Sequence, residues 1–320
     1  MAGLLISALA LWLVLRQMQW DGVKETLRGA DLRLVVLACL LYPWRLLLIS
    51  QRWGGLLGLY GEPPPFWVRL RATAIGYLAN NVLPFRSGDV IRGGIVVREG
   101  ASLAATASTL VLEKIIDLWV LVGCLLIFGS RYLAQEPVLT HSFRILGILA
   151  GVSFVIYVAV ALTCDGSRIL AWLERFQWRG ANLAGKLVKV LTASCQLCHR
   201  PKLLGSTILT TGANWAIEAS FSLLMARALG IPLTYQGALF LIALVGLGLT
   251  IPSSPGGIGL SQFVVVAGLK LQGVEVNAAT AFALLGWVVG YLCMNLVGVV
   301  FLLVSSLGCR VGNGALRRQP

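Results

Sequence analysis

The chain is poor in charge. Only 12% of its 320 residues are Asp, Glu, Lys or Arg, 58% are hydrophobic, and the mean hydropathy is +0.84. No soluble globular domain carries that balance, so composition alone predicts an all-α polytopic membrane protein. Acids are scarcer than bases, 13 against 26, for a net charge of +13. The positive charge is grouped in a few segments between apolar runs, which fits membrane orientation and anionic headgroups and argues against nucleic acid as a partner. Histidine is nearly absent: His141 and His199 lie in different segments and offer no shared metal site. There is no Gly-x-Ser-x-Gly, no P-loop and no dinucleotide fingerprint, so neither catalysis nor ATP-driven transport by this chain alone is expected. On that ground the chain is predicted not to be an enzyme and to need no cofactor. No basic residue precedes Arg16, so the apolar run after Met1 reads as a retained first span.

Cysteine is sparse and scattered, mostly in apolar runs where it serves as a small hydrophobe. Cys195-Gln196-Leu197-Cys198-His199 matches the c-type haem attachment pattern. Haem attachment requires the non-cytoplasmic side, and the basic residues around this motif place it inside, so no role is assigned to Cys195 or Cys198.

What the chain does have is a polar centre, residues 80 to 117. Asn80, Asn81, Arg86, Asp89, Arg92, Glu113, Lys114 and Asp117 sit inside or against long apolar runs. A charge at the bilayer centre costs about 3 kcal/mol or more, so such residues face a cavity or a partner. Leu83-Pro84, Gly88, Gly93 and Gly94 interrupt the pattern, and broken backbone is tolerated at membrane depth only inside protein or beside water. The stretch predicts a polar re-entrant hairpin followed by a charged spanning helix; an ordinary cytoplasmic loop between spans is the alternative.

In order, spans are expected over 2–15 and 34–50, with a mixed-charge loop over 20–33 and a turn-rich connection over 51–65. A first broken element covers about 66–99 and a long helix about 102–129. A span over 143–163 precedes the basic segment 168–202, read as an amphipathic helix on the cytoplasmic membrane surface. Another span covers 203–229, a second broken element 234–272 is interrupted at Ile251–Gly259, and a last span covers 277–307. Ala104-Ala105-Thr106-Ala107 recurs as Ala278-Ala279-Thr280-Ala281, each time opening a long helix after a proline-broken one. Placing 168–202 and the C-terminal tail in the cytoplasm puts Arg52, Arg69 and Arg71 on the cytoplasmic side as well. The two halves, about 1–130 and 143–308, then form inverted repeats of three spanning helices plus a broken hairpin within one membrane domain. Paired broken helices in inverted repeats point to a transporter and its midplane site.

Ser87-Gly88-Asp89 lies where a half-helix would start, and its N–H groups with Arg86 and Arg92 suit a headgroup phosphate. The alternative is that the arginines meet headgroups nonspecifically or pair with Asp89. Glu113 and Asp117 share a helix face, with Lys114 about 100° round. They are read either as proton-coupling carboxylates or as structural ion-pair partners of Lys114 or a hairpin arginine. Asn214 and Glu218 form a second such pair in the other half. Ser253, Ser254, Gly256 and Gly257 offer a neutral backbone nest, or serve only tight packing.

Asn81-Val82-Leu83-Pro84, Gly88-Asp89-Val90-Ile91-Arg92, Glu113-Lys114-Ile115-Ile116-Asp117 and Pro252-Ser253-Ser254-Pro255-Gly256-Gly257-Ile258-Gly259 resemble the lysylphosphatidylglycerol synthase transmembrane-region family. The resemblance covers nearly the whole chain. It implies a prokaryotic inner-membrane protein, with lipid translocation attributed to the family's best-known members; Asn81 is grouped with the hairpin residues as an expected headgroup contact. In bifunctional members a soluble aminoacyl-transferase domain follows; this chain ends at Pro320, so synthase activity is not carried over. Lys114 stands where the family has arginine, which keeps charge but loses the planar fork. The expected function is therefore a flippase for an anionic or phosphate-bearing lipid, with a second copy or a lipid-modifying enzyme as a further partner. A membrane-embedded transferase using a polyprenyl-phosphate donor, or an accessory subunit, is the alternative.

Overall fold

The computed structural model describes residues 2–83, 87–133, 137–163, 181–251 and 253–316. The described residues are helical, without strands. Helix α1 (Ala2–Gln17) is followed by a short helix α2 (Trp20–Arg28) at 87° to it. The segment 20–33, expected as a loop, is thus largely a helix that turns aside from α1. Asp31 then caps α3 (Leu32–Cys39) by accepting the Arg33 N–H at 2.8 Å.

Helix α4 (Leu41–Leu57) follows directly and runs seven residues past the expected end of the second span before its cap at Gly58. That corrects the reading of 51–65 as a connection: its first half is helix, and Arg52 and Trp53 lie on its buried face. Three consecutive prolines, Pro63–Pro65, then start α5 (Phe66–Val82). Helix α5 stops because Leu83 precedes a proline and is held extended, φ −91° and ψ 149°. Helix α6 (Gly88–Arg98) folds back on α5, and the long helix α7 (Leu103–Leu133) follows. The expected broken element and charged long helix are both present.

Helices α8 (Pro137–Thr163) and α9 (Ala181–Cys198) pack on α7 and on each other. Val190, Ala193 and Leu197 of α9 are buried, the last two with Leu56, Leu59 and Leu112. Residues 168–180 of the expected surface helix lie outside the described residues. Helix α10 (Pro201–Ala228) leads to α11 (Tyr235–Gly248), a one-turn 3-10 helix Pro255–Gly257, α12 (Leu260–Lys270) and α13 (Val276–Leu316). The second break is made by glycine: Gly256, Gly257 and Gly259 have φ of 65°, 70° and 86°. Only glycine adopts that backbone without strain.

The order of a long helix, a broken pair and a long helix therefore occurs twice, as α4 to α7 and as α10 to α13. The main core joins the two halves through Leu46, Ala74, Phe221, Met225, Leu241, Leu269 and Phe282. Outside, apolar side chains face outward, as on α8 at Ile148, Leu149, Val152 and Val155. An exterior of this kind suits lipid, where apolar surface needs no cover. Among the described residues, Leu32–Leu57 and Val276–Ser305 are long and apolar enough to cross a membrane, with a third span if α1 and α2 count as one. Helix α7 is about 46 Å long at 1.5 Å per residue, and it carries Glu113, Lys114 and Asp117 before its apolar run.

Candidate functional site

The charges inside the apolar helices pair with one another. Arg52 lies at the centre: its Nη1 donates to Asp117 at 2.6 Å and to Thr211 Oγ1 at 2.8 Å, and its Nη2 donates to Glu113 at 2.7 Å. Glu113 also meets Arg92, Oε2 to Nη2 at 3.2 Å. The Arg92 guanidinium stacks on Trp53, 3.9 Å from the ring centroid. On the other side Arg45 pairs with Glu218 and donates through Nε to Asn214 Oδ1 at 3.2 Å. Glu218, Arg45, Asp117, Arg52, Glu113 and Arg92 thus form one file of alternating charge through α10, α4, α7 and α6. The Trp215 indole adds a hydrogen bond to Asp117 at 3.3 Å.

The helices make this file possible by spacing. Asp117 and Glu113 are four apart on α7, as are Glu218 and Asn214 on α10, so each pair presents one face. Arg45 and Arg52 are seven apart on α4, two turns along one face. The planar fork of Arg52 then serves both α7 carboxylates at once in a fixed geometry that a lysine's single ammonium lacks. Arg92, Arg52 and Glu113 are nearly inaccessible, with side chains 2 to 3% exposed. A buried ion pair of this kind is costly to form and more costly to break on one side.

A second pair stands further out. Lys114 meets Asp89 at 3.3 Å, with side chains 56% and 32% exposed. Among the described residues Asp89 therefore pairs with Lys114 and not with Arg92, while Glu113 takes Arg52 and Arg92 and not Lys114. Arg69 is a further buried cation, donating to the carbonyl oxygens of Ser50 (3.3 Å) and Pro64. It has no carboxylate partner among the described residues.

Of the hairpin residues, Arg86 lies outside the described residues. Ser87 is the residue before α6, and its side chain is not what caps that helix. The Gly88 N–H donates to Asn80 Oδ1 at 2.8 Å, so the chain itself uses one of the N–H groups expected to meet an anion. A Cβ on Gly88 would overlap the Gly76 carbonyl oxygen, and this contact sets how tightly the hairpin closes. Asn81 Nδ2 donates to Asn295 Oδ1 on α13 at 2.9 Å. In the second hairpin the Ser254 N–H donates to Ser7 Oγ of α1 at 2.9 Å, and Gly256 O accepts from the Trp287 indole at 2.9 Å. Ser253 and Gly257 lie in the same turn. The tips meet: a Cβ on Gly256 would lie 3.5 Å from the Asn81 carbonyl oxygen.

Sequence reasoning placed Arg52 and Arg69 in a cytoplasmic connection and assigned no role to Arg45 or Asn295. The signal for Arg45 was available, an arginine seven residues before another inside an apolar run. Asn295 had no local signal, because its partner is more than 200 residues away.

An all-helical bundle, apolar outside and carrying paired charges inside, defines a polytopic membrane protein with a buried polar site. The chain belongs to the family described as the lysylphosphatidylglycerol synthase TM region, whose model matches residues 1–298. It is similar to a UPF0104 membrane protein of Pyrococcus horikoshii, 24% identical over 93% of this chain and 96% of that one. A UPF0104 membrane protein of Methanothermobacter thermautotrophicus is 25% identical over 92% and 91%. Another relative, named Glycosyltransferase AglD, from Haloferax volcanii, is 24% identical over 89% of this chain, which spans about half (51%) of that relative. That name overturns the expectation that the chain is not an enzyme. The expectation rested on missing linear motifs, and a site assembled from side chains on four helices leaves no such motif to find.

Proposed function

We propose that this protein carries a phosphate-bearing lipid, a phospholipid or a polyprenyl-phosphate-linked carrier, across the cytoplasmic membrane. The observation that supports this reading is the buried file of charge from Glu218 to Arg92. Charges at membrane depth are expensive and mark the path of a polar cargo. Arginine forks suit phosphate oxygens as they suit carboxylates. Glu113 stands between Arg52 and Arg92, a place that suits a phosphate as well. Arg92, at 3.2 Å, is its looser partner, so the headgroup replaces Glu113 there, with Lys114 and Asp89 at the outer edge. Because Arg92 lies beneath Trp53, the α5–α6 hairpin is the part that moves. Arg86, Ser87, Gly88 and Asn81 line the headgroup's route, and Ser253, Ser254, Gly256 and Gly257 complete it from the second hairpin. Asn214 and Glu218 hold Arg45 as Glu113 and Asp117 hold Arg52.

The halves are proposed to be inverted repeats, with the hairpins entering from opposite sides and the C-terminus in the cytoplasm. The tip contact between Asn81 and Gly256 supports that arrangement. A cysteine introduced at Gln135 should be labelled from outside and one at Lys186 should not; the reverse pattern sinks the inverted topology. The decisive assay is movement of a fluorescent phosphate-bearing lipid in proteoliposomes. The intact chain should move it, and Arg92→Lys, which keeps charge but loses the fork, should slow it about tenfold, a loss of about 1.4 kcal/mol. No movement by the intact chain, or an unchanged rate in Arg92→Lys, refutes the reading. A second reading, transfer from a polyprenyl-phosphate donor, is favoured by the name of the Haloferax relative. Product formation in the same vesicles distinguishes it.

A further inference from the structure

Hydroxyls buried in these helices commonly return to their own helix. Ser50 donates to Leu46 O, Thr211 to Thr207 O and Thr280 to Val276 O, each at 2.7 Å. Two threonines break that pattern. Thr73 on α5 and Thr106 on α7 are 0% and 1% exposed, and among the described residues neither hydroxyl has a hydrogen-bond partner. The contrast is sharpest between Thr106 and Thr280, which hold the same place in the repeated Ala-Ala-Thr-Ala. Both are buried near the start of a long helix, yet only the Thr280 hydroxyl is bonded to the turn before it. An unpaired buried hydroxyl is unfavourable, and valine would fill the same space without that penalty.

Both threonines lie around Arg92. A Cβ on Gly93, the next residue, would be 3.2 Å from Thr106 Cγ2. Thr73 is three residues before Gly76 and shares its face of α5, and a Cβ on Gly76 would be 2.9 Å from Arg92 Cβ. Arg92 itself has donors to spare. Its Nε has no partner among the described residues, and its Nη2 meets Glu113 Oε2 at 3.2 Å without the alignment of a hydrogen bond. Its Nη1 reaches Glu113 Oε1 only at 3.5 Å. Spare donors gathered on and around one cation suit an anion with several oxygens, as a phosphate has. We propose that Thr73 and Thr106 donate their hydroxyls to the oxygens of a phosphate held by Arg92, closing the headgroup cradle from α5 and α7. This rests on the lipid-phosphate reading above and adds two binding residues to its site. It also fixes a sign: each hydroxyl weakens the protein alone and strengthens its complex.

The test measures binding and melting on the full chain in a maltoside detergent. The probes are a polyprenyl phosphate, the matching polyprenyl alcohol and inorganic phosphate. The intact chain should bind the phosphate lipid at least tenfold tighter than either of the other two. Thr73→Val and Thr106→Val should each weaken binding of that lipid about tenfold, the loss of one hydrogen bond to a charged group. Without lipid, each variant should melt about 2–4 °C higher than wild type. Thr280→Val, which removes a bonded hydroxyl, should melt lower and bind as wild type does. A merely structural role for Thr73 and Thr106 would make their variants behave like Thr280→Val. Failure of either variant to fold, a melting temperature no higher than wild type, or binding within about twofold of it overturns the inference and leaves the Arg52–Arg92 phosphate site standing. If inorganic phosphate binds as tightly as the lipid, or the alcohol does, the lipid-phosphate reading falls and this inference falls with it.

Discussion

Arg52 is the residue on which the buried file depends most. Its guanidinium makes hydrogen bonds to three partners, two of them carboxylates on one face of α7. In Arg52→Met the side chain keeps its bulk, but Asp117 loses its guanidinium partner and Glu113 keeps only Arg92 at 3.2 Å. Removing one side of a buried pair costs about 3–5 kcal/mol, because the remaining charge stays desolvated without compensation. At about 2–4 °C per kcal/mol, the melting temperature should fall by about 10 °C. Adding Asp117→Asn restores charge balance, since Glu113 and Arg92 still pair. The double variant should therefore recover at least half of the loss, which makes the coupling at least about 2 kcal/mol. Thermal unfolding of the wild type, both single variants and the double variant in one detergent measures that coupling. Strictly additive losses, or an Arg52→Met protein melting within a degree or two of wild type, would refute the claim that these charges hold one another.

The other consequences are simpler. Lys114→Met should lower the melting temperature by less than a third of the loss in Arg92→Met, because the Lys114–Asp89 pair is half-exposed and Arg92 is fully buried under Trp53; equal losses would contradict the burial difference. Gly88→Ala should prevent the α5–α6 hairpin from closing and leave little folded protein in size-exclusion chromatography, since its Cβ would overlap the Gly76 carbonyl oxygen. Gly94→Ala, with open space around it on the same helix, should be neutral or stabilising by about 0.5–1 kcal/mol. Glu113→Gln should lower stability by several degrees, because it leaves Arg52 and Arg92 with one carboxylate fewer; a melt unchanged from wild type would instead favour the proton-coupling role.

How much of this was legible in the sequence follows from where each partner lies along the chain. The broken helix at Leu83-Pro84 and the charges of α7 could be read because proline stereochemistry and i, i+4 spacing are local. The end of α4 was misplaced because Gly54 and Gly55 resemble a turn in isolation. In the fold Gly54 is helical and buried, and a Cβ there would overlap the Arg69 guanidinium. A glycine that lets an arginine pass close is indistinguishable in sequence from one that ends a helix. The same error misplaced Arg52: an arginine just past an apolar run is counted as a cytoplasmic anchor unless a carboxylate is known to face it. Its carboxylates are 61 and 65 residues away. The sequence thus displayed the acids of the site with their own spacing, and only the packing of α4 on α7 could reveal which cations neutralise them. That asymmetry has a physical basis. Two acids on one helix are placed by the helix, whereas an ion pair between helices is placed by every residue that packs them.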